Sequence, residues 1–385
     1  MNFTVLHICG GYIVPSMFHS LFQEIDKLGV KQIVFVPLNS YNSEERRNHI
    51  VYSHSEGYSI CSKKQLNVCY KLLYTKKIAH MVHEVETLID LSSVHLIHAH
   101  LLGNEGAIAY ELSKKYHIPY ITAIRNTDLN AYFRVFKWKM PYFNMVFQNA
   151  RKVICISNMY KEKVSRVFGN NEKIDVIPNG LDNYYLQHRY SKDSLGNPIK
   201  IVYTGGFQKN KNILSTYEAI ANLRNKGYII EFTAIGRNLP NHEDKRYAKR
   251  MEQLASASNW FHLKDAQNKE QLKDSLRQSD IFVMCSHHET FGLSYIEALS
   301  QGLPIVYTQG DGFDKMYIEG EVGFHANSKC VQDIENAILR VIQNYGKIAG
   351  NIAHLDMSKY DWSDIAKKYF FIYKRIIDLE NYEKD

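Results

Sequence analysis

Short apolar runs punctuate this chain at regular intervals, and most of them are continuous rather than alternating. They fall at residues 3–9, 32–38, 94–100, 119–124, 152–157 and 174–178, then at 199–205, 229–236, 260–263, 281–286, 304–308 and 322–326. Unbroken apolarity over so few residues predicts parallel strands covered on both faces. Helix-length mixed stretches lie between them, for example 15–28, 104–115 and 213–226. Strand–helix alternation through both halves predicts two doubly wound α/β domains. Pro178-Asn179-Gly180-Leu181-Asp182, followed by a polar, tyrosine-rich stretch to Pro198, reads as the linker.

The apolar run Ile281-Phe282-Val283-Met284 feeds a polar loop, Cys285 to His288, and a helical pattern starts after Gly292. A strand, a glycine-bearing turn and a helix N-terminus together make a ready site for an anion such as a diphosphate. Glu289 stands just before that turn and Glu297 one helical turn inside it. Two carboxylates so placed suit the hydroxyls of a sugar and of a ribose, which points to a nucleotide-sugar site. Ser294 to Glu297 also fits a capping box, in which the glutamate only returns to the cap backbone. Both readings stand on the sequence alone.

Composition narrows the class. At 385 residues, 45% hydrophobic and 23% charged, the chain suits a globular protein of about two domains. No apolar run approaches the roughly 20 residues of a membrane span, and the N-terminus lacks the basic region of a signal peptide. Six cysteines without a CxxC pair fit a reducing cytoplasm. Charge is uneven: residues 1–180 carry 21 Lys+Arg against 14 Asp+Glu, whereas 181–385 carry 26 of each. A basic first half suggests an anionic partner there. Nucleic-acid signatures are missing, so a membrane surface or a phosphorylated acceptor is the expectation.

Several passages together resemble the family 4 glycosyltransferases, retaining enzymes of the GT-B architecture. Val94-His95-Leu96-Ile97-His98-Ala99-His100, with Gly106 and Pro119, is similar to the family's His-x-His passage. Val153-Ile154-Cys155-Ile156-Ser157 matches its strand ending in serine, and Val176-Ile177-Pro178-Asn179-Gly180-Leu181-Asp182 its interdomain motif. Tyr203-Thr204-Gly205-Gly206-Phe207 with Lys211-Asn212, the Glu289–Glu297 segment, and Tyr360-Asp361-Trp362-Ser363 complete the series in order. The resemblance implies two Rossmann-like doubly wound domains facing each other across a cleft. Residues 1–182 would bind the acceptor and 183–358 the nucleotide sugar. Residues 359–385 would form a C-terminal helix crossing back onto the N-terminal domain.

Roles carry over residue by residue. Glu297 would bond the donor ribose and Glu289 the transferred sugar. The backbone of Thr290, Phe291, Gly292, Leu293 and Ser294 would meet sugar or diphosphate. Lys211 would neutralise the leaving diphosphate. Gly10 and Gly11 would let the N-terminal backbone approach the phosphates, and Ala266 lies where the family's backbone holds the base. The family usually places arginine where this chain has Gly206; either Lys209 reaches in its place or the turn simply needs glycine. Its His-Gly-x-Asp loop reads Arg125-Asn126-Thr127-Asp128 here. Arg125 either contributes charge near the leaving group, binds a charged sugar, or ion-pairs with Asp128; Asp128 would bind acceptor or sugar hydroxyls. No Asp-x-Asp occurs, so no metal and no further cofactor is expected, with a UDP-sugar favoured over a GDP-sugar as donor.

The segment 129–143 mixes aromatics and cations, including Trp138, Lys137 and Lys139, and either lies in a membrane interface or packs its aromatics inward. Arg46, Arg47, Lys63, Lys64, Lys71, Lys76 and Lys77 add basic surface. A glycan or polyprenyl-linked acceptor at the cytoplasmic membrane face, in cell-surface polysaccharide synthesis, is the leading expectation, with a hexose-type sugar transferred. A GT-B-type sugar-nucleotide epimerase and a catalytically silent partner subunit are the alternatives.

Overall fold

The computed structural model describes residues 3–12, 16–38, 57–62, 73–125, 127–169, 172–237 and 242–382. The chain forms two compact units. The first comprises residues 1–156, 160–180 and 362–385, the second 157–159 and 181–361.

The first unit is built on seven strands: β1 Thr4–Ile8, β2 Lys31–Val36, β3 Tyr58–Cys61, β4 Leu96–Ala99, β5 Tyr120–Ile124, β6 Lys152–Cys155 and β7 Ile174–Val176. Their order across the sheet is β3-β2-β1-β4-β5-β6-β7, and every pairing is parallel. The second unit has six: β8 Ile199–Thr204, β9 Ile230–Ile235, β10 Phe261–Lys264, β11 Ile281–Met284, β12 Ile305–Thr308 and β13 Gly323–Ala326. They run β10-β9-β8-β11-β12-β13, again all parallel. Each apolar run read from the sequence is one of these strands. Only β3 was not foreseen. It sits at the sheet edge with half-exposed or exposed side chains, so it lacks the continuous apolarity that marks a covered strand.

In each sheet the strand order reverses once, at β1/β4 and at β8/β11. Loops leaving the carboxyl ends of those neighbouring strands are brought side by side with no helix between them, the usual place for a ligand in open α/β sheets.

The helix Trp362–Tyr382 closes the chain but belongs to the first unit. Trp362, Ile365, Ala366, Tyr369, Tyr373, Ile376 and Ile377 recur at helical spacing and join one core with Val5, Phe18, Leu21, Phe22 and Ile25. Gly180 is needed where the chain leaves the first unit, because a Cβ there would overlap the Trp362 ring. Removing that ring should therefore be felt throughout the unit. Trp362→Ala is expected to lower the unfolding free energy by roughly 3–5 kcal/mol, read as an earlier denaturant transition of the first unit.

Candidate nucleotide-sugar site

In the second unit the loops after β8 and β11 are tied to each other by hydrogen bonds. Asn212 has a left-handed backbone (φ +56°) ahead of the helix Ile213–Asn225. Its buried side-chain amide donates to the carbonyls of Cys285 (3.0 Å) and Ser328 (2.7 Å). The His287 amide donates to the Asn210 carbonyl at 2.8 Å, and the Asn210 side chain to the His288 carbonyl at 3.2 Å. This bracing sets Lys211 against Glu289, Nζ to Oε2 at 2.6 Å, with side chains 21% and 14% exposed. Gly206 lies on the same β8 loop, its carbonyl accepting from the Tyr203 hydroxyl at 3.0 Å. Gly236 is required by a neighbouring loop, since a Cβ there would strike the Gly205 carbonyl.

Glu289 is also fixed through its backbone. Its amide donates to the Asp311 carboxylate, its carbonyl accepts from Gly312 N at 3.2 Å, and its Oε1 accepts from Thr290 N at 3.0 Å. Phe291 is buried behind the turn. Gly292 adopts φ +77°, where a Cβ would overlap the Tyr295 ring, and the Tyr295 hydroxyl is anchored on the Met284 carbonyl. The helix Leu293–Ser300 therefore starts at Leu293, with Gly292 as its cap and no side chain capping it. That placement overturns the capping-box reading, because Ser294 already stands within the first turn. Within the first turn the Tyr295 amide donates to the Gly292 carbonyl at 2.9 Å, while a helix start offers its leading amides, here those of Leu293 and Ser294, no partner inside the helix.

Glu297 stands half-buried on that helix. Burial, then the charge of Asp182, pushes its carboxyl up to about 7, against the pull of Lys269. Asp182 pairs with Lys269 and caps the helix Asn183–Gln187. Ala266 lies exposed between β10 and the helix Lys269–Arg277. Beside it, Gln267 keeps a buried Oε1 without a hydrogen-bond partner. Asp311 and Gln267 escaped the sequence reading, and Asn212 entered it only within the Lys211-Asn212 motif, without a role of its own. Asp311 left a signal, the Gly310-Asp311-Gly312 turn that follows β12.

The remaining predicted residues belong to the first unit. Gly10 N donates to Glu105 Oε1 at 2.6 Å, and a Cβ on Gly11 would approach the Phe18 ring to 2.8 Å. Burial raises the Glu105 carboxyl to about 8. Arg125 follows β5, its Nη1 donating to Asn179 Oδ1 at 3.0 Å and its guanidinium lying 4.8 Å above the Phe18 ring. The ion pair with Asp128 considered from the sequence does not form. Asp128 departs from expectation too. It is fully buried, and its carboxylate accepts from the amides of Leu102 (3.3 Å), Gly103 (2.8 Å) and Arg125 (3.0 Å). An enclosed carboxylate with three backbone donors shapes the loop rather than meeting a sugar.

The segment 129–143 is broken into short turns, with Pro141 in the first turn of the helix Met140–Asn149. Phe133 and Phe143 are buried and Trp138 is 70% exposed. Lys139 lies 4.0 Å above the Tyr74 ring. Among the described residues no helix is long and apolar enough to cross a membrane. Lys76 and Lys77 lie on the helix Tyr74–Leu88; Arg46, Arg47, Lys63, Lys64, Lys71 and Asn126 fall outside the described residues.

Comparison with known proteins follows the same division. The pattern of glycosyl transferases group 1 matches residues 187–359, and that of glycosyltransferase family 4 matches residues 14–183. A glycosyltransferase of Methanocaldococcus jannaschii is 23% identical over 88% of this chain and 89% of its own. The phosphatidylinositol N-acetylglucosaminyltransferase GPI3 subunit of Saccharomyces cerevisiae is 29% identical over 62% of this chain, a match spanning about half (54%) of the yeast protein. Among solved structures, sucrose-phosphate synthase of Thermosynechococcus elongatus superposes with TM-score 0.76 at 17% identity, covering 98% of this chain and all of its own. HepE of Anabaena, in complex with UDP and glucose, gives TM-score 0.67 at 16% identity over 97% of this chain and all of HepE.

The half-buried Glu297 has a measurable signature. A carboxyl whose folded pKa is raised adds stability at acid pH that is lost as pH climbs from the ordinary carboxylate range through about 7. Glu297→Gln should therefore raise the melting temperature of the unliganded chain at about pH 8 and leave it nearly unchanged at about pH 4.5. Differential scanning calorimetry at the two pH values checks the difference.

Proposed function

This chain belongs to the family 4, group 1 glycosyltransferases with the GT-B fold, and on that premise we propose that it moves a hexose-type sugar, with retention, from a UDP-sugar to a glycan or polyprenyl-linked acceptor. The observation that carries the donor assignment is the uncapped first turn of Leu293–Ser300 beside the Lys211–Glu289 pair. Amides at a helix N-terminus and a nearby ammonium are what a departing diphosphate requires. UDP is favoured because HepE, of like fold, was solved with UDP.

The ion pair prepares both partners for this work. Without donor, Lys211 and Glu289 satisfy each other at 2.6 Å. With donor, Lys211 turns to the phosphate oxygens and Glu289 to the sugar hydroxyls, so neither charge has to be desolvated afresh. In transfer with retention, the acceptor hydroxyl approaches from the face by which the diphosphate leaves. Its proton passes to the departing phosphate oxygen, and the chain's task is to stabilise the negative charge that grows there. Lys211 and the helix amides do this without a divalent cation on the diphosphate. Glu297, ionised, accepts from the ribose hydroxyls. The exposed Trp138 with Lys137 and Lys139 suits contact with an anionic membrane surface at the cytoplasmic face, where a lipid-linked acceptor for polysaccharide synthesis would lie.

Melting temperatures measured with UDP-, GDP-, ADP- and dTDP-sugars test the donor, since a bound ligand raises apparent stability by mass action. The UDP-sugars should give the largest shift; no shift with any of them overturns the assignment. On the donor so identified, Glu289→Gln and Lys211→Ala should each reduce transfer by roughly 10²–10³-fold with the fold intact by circular dichroism.

Arg125 is the first-unit cation to watch, because among the described residues no carboxylate is ion-paired with it. Arg125→Ala should lose at least about tenfold in turnover and keep the donor-induced melting shift. Unchanged turnover would leave Arg125 a packing role against Phe18.

A further inference from the structure

The first unit contains a side-chain cluster that sugar transfer does not use. His7 on β1 and His98 on β4 are register partners, and His100 follows two residues after His98, on the same side of the chain. All three are 0–1% exposed. His7 Nδ1 and His100 Nε2 lie 3.1 Å apart, and the rings of His98 and His100 stack with centroids 4.0 Å apart. One ring nitrogen from each of the three lies within 4.8 Å of the other two. Phe18, Phe22, Tyr369 and Tyr373 enclose the rings.

Each ring has one partnered nitrogen, and the other nitrogen of each (His7 Nε2, His98 Nε2 and His100 Nδ1) is buried without a hydrogen-bond partner. Of these, His98 Nε2 is the one left open toward the facing nitrogens of His7 and His100, and a buried polar atom without a partner is unfavourable. Without an ion, one of the facing nitrogens of His7 and His100 donates to the other. A neutral ring can instead carry its proton on the outer nitrogen and turn the bare one to a metal ion.

We propose that His7, His98 and His100 form an enclosed structural site for one divalent transition-metal ion, zinc foremost, joining β1 to β4 beneath the C-terminal helix. Three neutral imidazoles favour zinc, copper, iron or nickel over magnesium or calcium. In a tetrahedral zinc site with Zn–N of about 2.0–2.1 Å, neighbouring nitrogens are roughly 3.3 Å apart. The His7–His100 separation is already close to that value, and a nitrogen of His98 lies within 4.8 Å of both. An outer partner is present at His98, where the Tyr373 hydroxyl meets Nδ1 at 2.7 Å and leaves Nε2 to face the ion. Such partners orient the ligands and raise their basicity. Entry is through folding: Tyr369 and Tyr373 sit on the helix Trp362–Tyr382, so the site stays open until that helix docks.

The test uses the full chain, expressed in medium supplemented with zinc or cobalt, purified and dialysed against chelator. Elemental analysis should find about one zinc per chain, retained because the site is enclosed. The cobalt form should show the intense visible bands of a tetrahedral ion, and the zinc-loaded chain should melt above chain made in metal-depleted medium. Tyr373→Phe should weaken retention roughly 10–100-fold in chelator competition, while folded His98→Gln should carry no metal. If the His98→Gln chain does not fold, the wild-type metal content and cobalt spectrum decide alone. Less than about a tenth of an equivalent after supplemented expression, with no tetrahedral bands and no melting difference, overturns the proposal.

Discussion

The reversal of strand order between β8 and β11 is the constraint on which the donor site depends. Two parallel strands that exchange backbone hydrogen bonds hold their carboxyl-terminal loops about one strand spacing apart, roughly 4.8 Å. Any side chain at the start of one loop then meets the other without a long reach. Asn212 turns this proximity into a fixed distance by donating to Cys285 on the other loop and to Ser328 after β13. Lys211 is its neighbour in sequence, and Glu289 follows four residues after Cys285. The ion pair is thus a consequence of sheet topology, and the free helix end at Leu293 follows from the same loop once Gly292 has taken its left-handed turn.

The two acidic side chains of this site differ in their partners. Glu289 is paired with Lys211, whereas Glu297 has no hydrogen-bond donor to its carboxyl among the described residues, and burial raises its proton affinity. The proposed ribose contact would supply the donors that the chain itself does not. Asp128 shows the contrast. Its carboxyl is also raised by burial, to about 6, yet three backbone amides hold it, so the same chemical group serves the loop. Exposure and partners separate the two roles; residue type does not.

Most of the fold was legible because covered parallel strands are written as unbroken apolar runs. β3 was not, since an edge strand with Tyr58 and Ser59 on view has no such pattern. Glu289 and Glu297 were read from their places before and inside the helix that follows β11, and Lys211 from the resemblance; the structure brings Lys211 and Glu289 together. The helix start after Gly292 was legible as well; of the two readings of Ser294 to Glu297, the capping box falls because Gly292, fixed by Tyr295, is the cap. Asp128 misled. Whether a loop carboxylate faces solvent or its own backbone is decided by amides at Leu102 and Gly103, more than twenty residues away. His7 could not be joined to His98 and His100 from sequence either, since only the β1–β4 pairing brings them together.

The placement of Trp362–Tyr382 has a bearing on how the protein is born. The ribosome delivers β1 to β7 first and then the second unit, yet the apolar surface formed by Phe3, Phe18, Leu21 and Phe22 is covered by a helix that emerges only after residues 181–361 have been made. Until then the nascent first unit presents an oily flank to its surroundings, through the synthesis of about 180 further residues. At ordinary elongation rates that interval is on the order of ten seconds or more. Co-translational chaperones would find their most persistent target on the half of the chain that was made earliest.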